Sequence, residues 1–281
     1  MTKIIADTTC GLPLTELADM GVDVIPQIII FDDKSYRDDK EIDTATFLKK
    51  LKESKSLPKT SAPPPALYEP LFKTYAAAGE SIVIPTPSSE LSGTYRAAQV
   101  AAESVPEADV HIIDTRTIAG GLGSLVKQAH HYAIKGQEPE IIIDNLKQLA
   151  QKEVVYFLVD TLEYLHKGGR IGNASFLIGS MLQVKPILGL VDGKVSAIEK
   201  QRTSSKAFNR LRDLVAENCP KGSQSLITVS HCGGKDRAEQ LAAELSQLLD
   251  LENIPVPVYE VPPAIVVHGG PGIISVSYFH E

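Results

Sequence analysis

SIVIPTPSSELSGTYRAAQVAAESVPEADVHIID, residues 81–114, holds a short Ile/Val run, a helical pattern and a second Ile/Val run. Ile82–Pro85 and Val110–Asp114 are expected strands, since short β-branched runs ending in turn or polar residues suit a buried pleat. Leu91–Glu103 between them is an expected helix, with Ser88 or Ser89 as its cap. A strand, a crossover helix and a second strand imply a parallel sheet covered by helices.

The alternation extends outward in both directions. Ile4–Ala6 and Val22–Phe31, the latter broken by Pro26, read as strands. Thr44–Ser54, Ala66–Ala78, Gly120–Ile134 and a stretch near Pro139–Lys152 read as helices, and SAPPP (61–65) as a stiff loop ending where Ala66 begins its helix. After that the texture changes. VVYFLVD (154–160) is a buried strand, and KPILGLVDGKVSAIEKQRT (185–203) is a β-hairpin whose Asp192-Gly193 pair favours a tight primed turn. Helices over Ser205–Asn218 and Asp236–Leu249 and strands over Leu226–His231, Val256–Val261 and Ile273–Phe279 complete the chain. The fold class is α/β with two α/β domains. Residues 1–153 are expected to carry a parallel, Rossmann-like sheet and residues 154–281 a mixed sheet, with the boundary near 150–155.

Composition narrows the function. Of 281 residues 43% are apolar and 22% charged, which is ordinary globular usage. A net charge of −7 disfavours a general nucleic-acid binder, so no nucleic-acid partner is expected. Cys10, Cys219 and Cys232 form no CxxC pair, which suits reduced thiols and gives no zinc signature. The apolar run at the N-terminus is too short for a signal peptide, and no stretch approaches the roughly 20 apolar residues of a membrane span. The expected location is cytoplasmic.

Nucleotide motifs fail on spacing. HCGGKDR has Gly-Lys, but Asp236 replaces the magnesium-holding Ser/Thr and Val229 falls where the first P-loop glycine belongs. GGLGSLV has Gly121 and Gly123, but Val126 stands where a dinucleotide fingerprint needs a small residue. The glycines near 120 read instead as a helix start, and TRT (115–117) reads as solvated. A serine hydrolase could draw on Ser92, Asp7 or Asp114, and His268, although ELSGT is not G-x-S-x-G. Four loops share donor chemistry: Thr60 and Ser61 in KTSAPPP, Ser92 and Gly93 in ELSGT, Arg170 after the pair Gly168-Gly169, and His268 before GGPG. Arg170 offers a fork of donors suited to carboxylate or phosphate. The residues themselves describe a two-domain anion holder.

Six segments in order give the chain a family resemblance: IIADTTCGLP (4–13), KTSAPP (59–64), SSELSGTYRAA (88–98), DTLEYLHKGGRIG (160–172), QVKPIL (183–188) and HGGPG (268–272). The chain resembles the DegV family, the bacterial fatty-acid-binding proteins that include the FakB subunits of fatty acid kinase. It departs from the family pattern at Gly11, Ala62, Thr203 and Gly269. The resemblance implies a long-chain fatty acid as ligand, no metal and no other cofactor, and no catalytic residue of its own. It implies a separate fatty acid kinase catalytic subunit that phosphorylates the presented carboxyl group to acyl phosphate, in phospholipid metabolism, and it leaves room for transient membrane contact. Thr60, Ser61, Ser92 and Gly93 match the carboxylate-holding loops, with His268 close by. Arg170 and Arg202 match basic positions facing the head group or the partner. An acyl-ester or thioester hydrolase using Ser92 and His268 is the alternative.

Overall fold

The computed structural model describes residues 1–180, 184–251 and 254–280. Gln183, which opens the QVKPIL segment, lies outside the described residues. In chain order the first 150 residues form β1 (Lys3–Asp7), α1 (Leu14–Asp19), β2 (Asp23–Ile25), β3 (Ile28–Phe31), β4 (Lys34–Arg37), α2 (Thr44–Glu53), β5 (Lys59–Ser61), α3 (Glu69–Ala78), β6 (Ile82–Thr86), α4 (Thr94–Ser104), β7 (Val110–Asp114), α5 (Gly120–Ile134) and α6 (Pro139–Ala150). There follow β8 (Glu153–Leu158), α7 (Glu163–Lys167), β9 (Lys185–Val191), β10 (Lys194–Gln201), α8 (Ser204–Asn218), β11 (Thr228–His231), α9 (Lys235–Leu248), β12 (Val258–Glu260), α10 (Pro263–Gly269) and β13 (Ile274–Phe279).

The β6-α4-β7 unit does form a parallel pair, within a four-stranded sheet of order β2-β1-β6-β7 that is parallel throughout. Both its faces are covered, as such a sheet requires. Ile4, Ala6 and Val83 pack with Leu122, Leu125 and Ile142 of α5 and α6 on one side. Ile5, Ile82 and Ile84 pack with Tyr68, Phe72 and Ala98 on the other. The second sheet is mixed, of order β10-β9-β8-β13-β11-β12, with only the β11–β12 pair parallel. Asp192 and Gly193 both take positive φ, 51° and 75°, as the primed turn of its hairpin demands. Helices α8 and α9 cover one face through Leu211, Leu241 and Leu245.

Several expectations are corrected. Pro26 divides Val22–Phe31 between two sheets: β2 joins the parallel sheet, and β3 centres a third, antiparallel sheet of order β4-β3-β5. Thr60 and Ser61 therefore lie on a strand, not in a loop. That small sheet packs on the second half of the chain: Ile29, Phe31 and Phe47 share a cluster with Phe157, Leu165, Leu188, Val195 and Ile273. After the proline run, a 3-10 turn at Pro65–Leu67 precedes α3, so Ala66 does not open a regular α-helix. Helix α4 starts at Thr94 with Gly93 in the cap position. Ser88 and Ser89 instead brace neighbouring segments, donating to the Gly193 carbonyl (2.8 Å) and the Asp114 carboxylate (2.6 Å). Thr115 and Thr117 are fully buried where the TRT segment was read as solvated; only Arg116 faces out.

Candidate functional site

Between the β8–β10 face of the mixed sheet, α10 and the loops at the carboxyl ends of β1 and β6 lies a cavity of about 930 Å³, its mouth included. Most of its wall is apolar: Leu91, Ile118, Val155, Phe157, Leu165, Leu190, Val195, Val261, Ile265 and Ile273. Its polar groups collect largely at one end, where Thr9, Gln27, Thr60, Ser92, Gly93, Arg170 and His268 meet.

Each arrives from a different element. Strand β5 pairs with β3 through Thr60 and Ile29, which turns the Thr60 hydroxyl toward α10. Thr60 Oγ1 and His268 Nε2 are 2.7 Å apart across 208 residues of sequence. Ser61 does not join them. Successive strand residues point to opposite faces, and Ser61 is exposed, its hydroxyl donating to the Ala62 carbonyl. Burial, and secondarily the Arg170 charge, push the His268 imidazolium down to about 4, so the ring is neutral near pH 7.

The KGGRIG segment uses its two glycines differently. Gly169 takes φ 72° and turns the chain after α7. Gly168 is in the ordinary helical region, but a β-carbon there would lie 2.4 Å from His268 Nδ1. Its missing side chain is what lets α10 seat the imidazole against Thr60. Arg170 then commits two of its five donors to backbone, Nε to the Leu91 carbonyl (3.1 Å) and Nη1 to the Gly168 carbonyl (2.8 Å). It ties the Ser92 loop to the α7 turn. Thr60, Arg170 and His268 also border an outer groove that carries Lys55, Lys59 and Lys167.

Below Ser92 runs a buried network that sequence reasoning missed. Ser92 Oγ is 2.8 Å from Thr94 Oγ1 and accepts from the Thr94 amide at 3.3 Å. Thr94 Oγ1 donates to Asp7 Oδ2 at 3.2 Å and accepts from Gln27 Nε2 at 2.8 Å. Thr9 holds the other Asp7 oxygen through its hydroxyl at 2.6 Å. Desolvation pushes Asp7 up to about 6 against these hydrogen bonds. Asp38, bonded to Thr8 Oγ1 and the Gln27 amide, is pushed up to about 7 by burial. Thr94 has a single proton; when that goes to Asp7, the Ser92 proton points at Thr94 and is free to rotate to an entering acceptor. The available signal was Asp7, the polar end of an apolar strand in IIADTTC.

Ser92 and His268 bond to different partners, Thr94 and Thr60, so the nucleophile–base pair a hydrolase needs is not formed here. Arg202 is exposed just past β10 and does not line the cavity. Two departures from the family pattern have local reasons. Ile273 fills the room a side chain at Gly269 would need, 2.7 Å from a β-carbon there. Ala62 lies against Gly93, whose added β-carbon would be 3.3 Å away. Among the described residues, no group of three or more His, Cys, Asp or Glu is arranged to hold a metal ion.

The model of the DegV family matches residues 1–281. A DegV domain-containing protein of Halalkalibacterium halodurans is 34% identical over 284 residues, covering 100% of both chains. One of Streptomyces coelicolor is 36% identical over 278 residues, covering 97% of this chain and 96% of its own. Among solved structures, the fatty-acid-binding DegV family protein of Streptococcus agalactiae superposes with a TM-score of 0.89 at 28% identity, covering 100% of this chain and 99% of its own. DegV of Bacillus subtilis, a fatty acid binding protein, gives 0.85 at 29% identity with 99% coverage of both.

Proposed function

This chain belongs to the DegV family, and we propose that it binds a long-chain fatty acid and presents the carboxyl group to a partner kinase, which converts it to acyl phosphate. One observation carries the reading: a cavity apolar along most of its wall gathers Thr60, Ser92, Gly93 and His268 at one end, with Arg170 at the mouth. A buried carboxylate must be met by donors. Ser92 can supply one, and Thr60 another when the neutral His268 donates its Nε2–H to Thr60 Oγ1 and leaves the Thr60 hydroxyl free to donate. The tail supplies the affinity: about 14 methylenes of a palmitoyl chain at ~0.8 kcal/mol each give roughly 11 kcal/mol gross, before association costs.

Presentation follows from the mouth. Arg170, Thr60 and His268 separate the cavity from a groove that carries Lys55 and Lys59, with Lys167 there paired to Glu163. Positive charge there would steer an ATP-using partner and stabilise the charge on a transferring phosphoryl group. Arg202, exposed past the hairpin, is assigned to the partner's side of the same encounter. The hydrolase reading has no such support, because Ser92 lacks a base. Mass spectrometry of organic extracts from purified protein tests the proposal. Near-stoichiometric free fatty acid supports a carrier, whereas an empty protein that turns over a chromogenic ester refutes it.

A further inference from the structure

The buried network that ends at Ser92 is one proton short once a carboxylate is bound. The links from Asp7 to such a ligand run from Asp7 Oδ2 to Thr94 Oγ1 at 3.2 Å, from Thr94 Oγ1 to Ser92 Oγ at 2.8 Å, and from Ser92 Oγ to the ligand. Each link needs a proton of its own. In the empty protein only the links within the chain exist, and the Thr94 and Ser92 hydroxyls fill them while Asp7 stays ionised. A bound carboxylate only accepts, so it draws the Ser92 proton to itself. Thr94 can then serve Ser92 or Asp7, but not both.

A proton on Asp7 completes the series: Asp7 donates to Thr94, Thr94 to Ser92, and Ser92 to the ligand. The remaining valences are already met. Asp7 Oδ1 accepts from the Thr9 hydroxyl at 2.6 Å and the Thr9 amide at 3.2 Å. Gln27 Nε2 donates to Asp7 Oδ2 and, at 2.8 Å, to Thr94 Oγ1. Ser92 Oγ accepts from the Thr94 amide at 3.3 Å. None of these partners carries a charge that would hold Asp7 ionised. The titratable groups facing Asp7 are Cys10 just after its strand, Tyr68 ahead of α3 and Asp38 beyond β4. Burial keeps Cys10 and Tyr68 protonated. Asp38 meets the network through the Gln27 backbone amide at 2.8 Å. Arg170 and His268 lie at the cavity end that Thr9, Gln27 and Ser92 also border.

Desolvation holds the Asp7 carboxyl at about 6, so near pH 7 it is ionised in the empty protein, and a second carboxylate close by raises it further. We propose that Asp7 is a positioning residue that takes up a proton as the ligand carboxylate enters, turning Thr94 and Ser92 into a donor chain aimed at that carboxylate. Fatty-acid binding is then coupled to proton uptake, and by linkage a fall in pH tightens it. The proposal rests on the fatty-acid reading above.

Calorimetric titration of delipidated full-length protein with myristate, in buffers of different ionisation enthalpy, counts the protons. At pH 7 about half a proton or more should be taken up per fatty acid, and affinity should fall roughly tenfold between about pH 6 and pH 8. In Asp7→Asn the side-chain amide donates to Thr94 as the protonated acid does, once Gln27 turns its own amide over. Most of the uptake and of the pH dependence should vanish there, while Asp38→Asn should keep both. Thr94→Val cuts the chain and should abolish the uptake, and Thr94→Ser should restore it. Uptake that is unchanged in Asp7→Asn, lost in Asp38→Asn instead, or retained in Thr94→Val overturns the proposal. Myristate binding without proton uptake in the wild-type protein overturns it equally, and each of these results leaves the fatty-acid reading standing. Failure of myristate itself to bind refutes the fatty-acid reading, and this inference with it.

Discussion

Replacing Gly168 by Ala separates packing from backbone conformation at the heart of the site. The backbone at Gly168 (φ −77°, ψ −6°) suits any residue, so alanine brings no torsional cost. It brings a methyl group 2.4 Å from His268 Nδ1 and 2.9 Å from the Tyr164 carbonyl oxygen. The carbonyl is fixed within α7, and the imidazole is wedged against Thr60, so one of them must move. Overpacking of this kind costs about 1–3 kcal/mol of stability. A displaced ring loses its contact with Thr60, whose hydroxyl is then no longer held to donate to the carboxylate. One charge-assisted hydrogen bond is worth about 1.5–3 kcal/mol, so fatty-acid affinity should fall roughly 10- to 150-fold. Gly169→Ala is the control. It meets nothing within 4 Å but must hold φ 72°, costing about 1–2 kcal/mol of stability with no contact at the site. Urea unfolding of delipidated protein and displacement of a fluorescent fatty acid would be measured for both variants. Both should lose stability, and only Gly168→Ala should lose affinity. In the Gly168→Ala/His268→Ala double variant the affinity losses should not add, because both undo the same Thr60–His268 contact. Wild-type affinity in Gly168→Ala would refute the reasoning.

Ser92→Ala should weaken fatty-acid retention about tenfold or more, and Ser61→Ala should leave it unchanged, as read by lipid content after gel filtration. Arg170→Ala should keep most bound lipid yet lose acyl-phosphate formation with the partner kinase; parallel loss of both on the same preparations would place Arg170 in the lipid site alone. For Glu153 the native carboxyl is raised from 4.5 to about 8, so the native state keeps a proton that the unfolded chain releases. Its contribution to stability therefore falls as pH rises from 4.5 to 8. Glu153→Gln should stabilise by about 3 kcal/mol at pH 7 and by nothing near pH 4; a gain in urea unfolding that does not grow with pH would contradict this. Palmitate should raise the melting temperature of delipidated protein well beyond octanoate at equal concentration, since eight more methylenes are worth roughly 6 kcal/mol gross; equal shifts would exclude a deep tail cavity.

Local chemistry made much of the fold legible. The Ile/Val runs of β1, β6, β7 and β13, the helical periodicity of α5 and α8, and the Asp192-Gly193 turn are properties of a few neighbouring residues. So is the donor character of Thr60, Ser92, Arg170 and His268, which the sequence motifs singled out and the fold gathers at one cavity end. Tertiary structure decided what depends on distant partners. Pro26 marked a break, but only pairing with β4 and β5 sent β3 into a third sheet. Thr60 and Ser61 are alike as neighbouring donors in sequence; the pleat turns one to His268 and the other to solvent. Thr117 was read as surface, and the Asp7–Thr94–Gln27 network went unseen, because burial and desolvation are set by segments dozens to hundreds of residues away. A sequence carries each side chain's chemistry, whereas the dielectric and the partner that give that chemistry its strength exist only once the chain has folded.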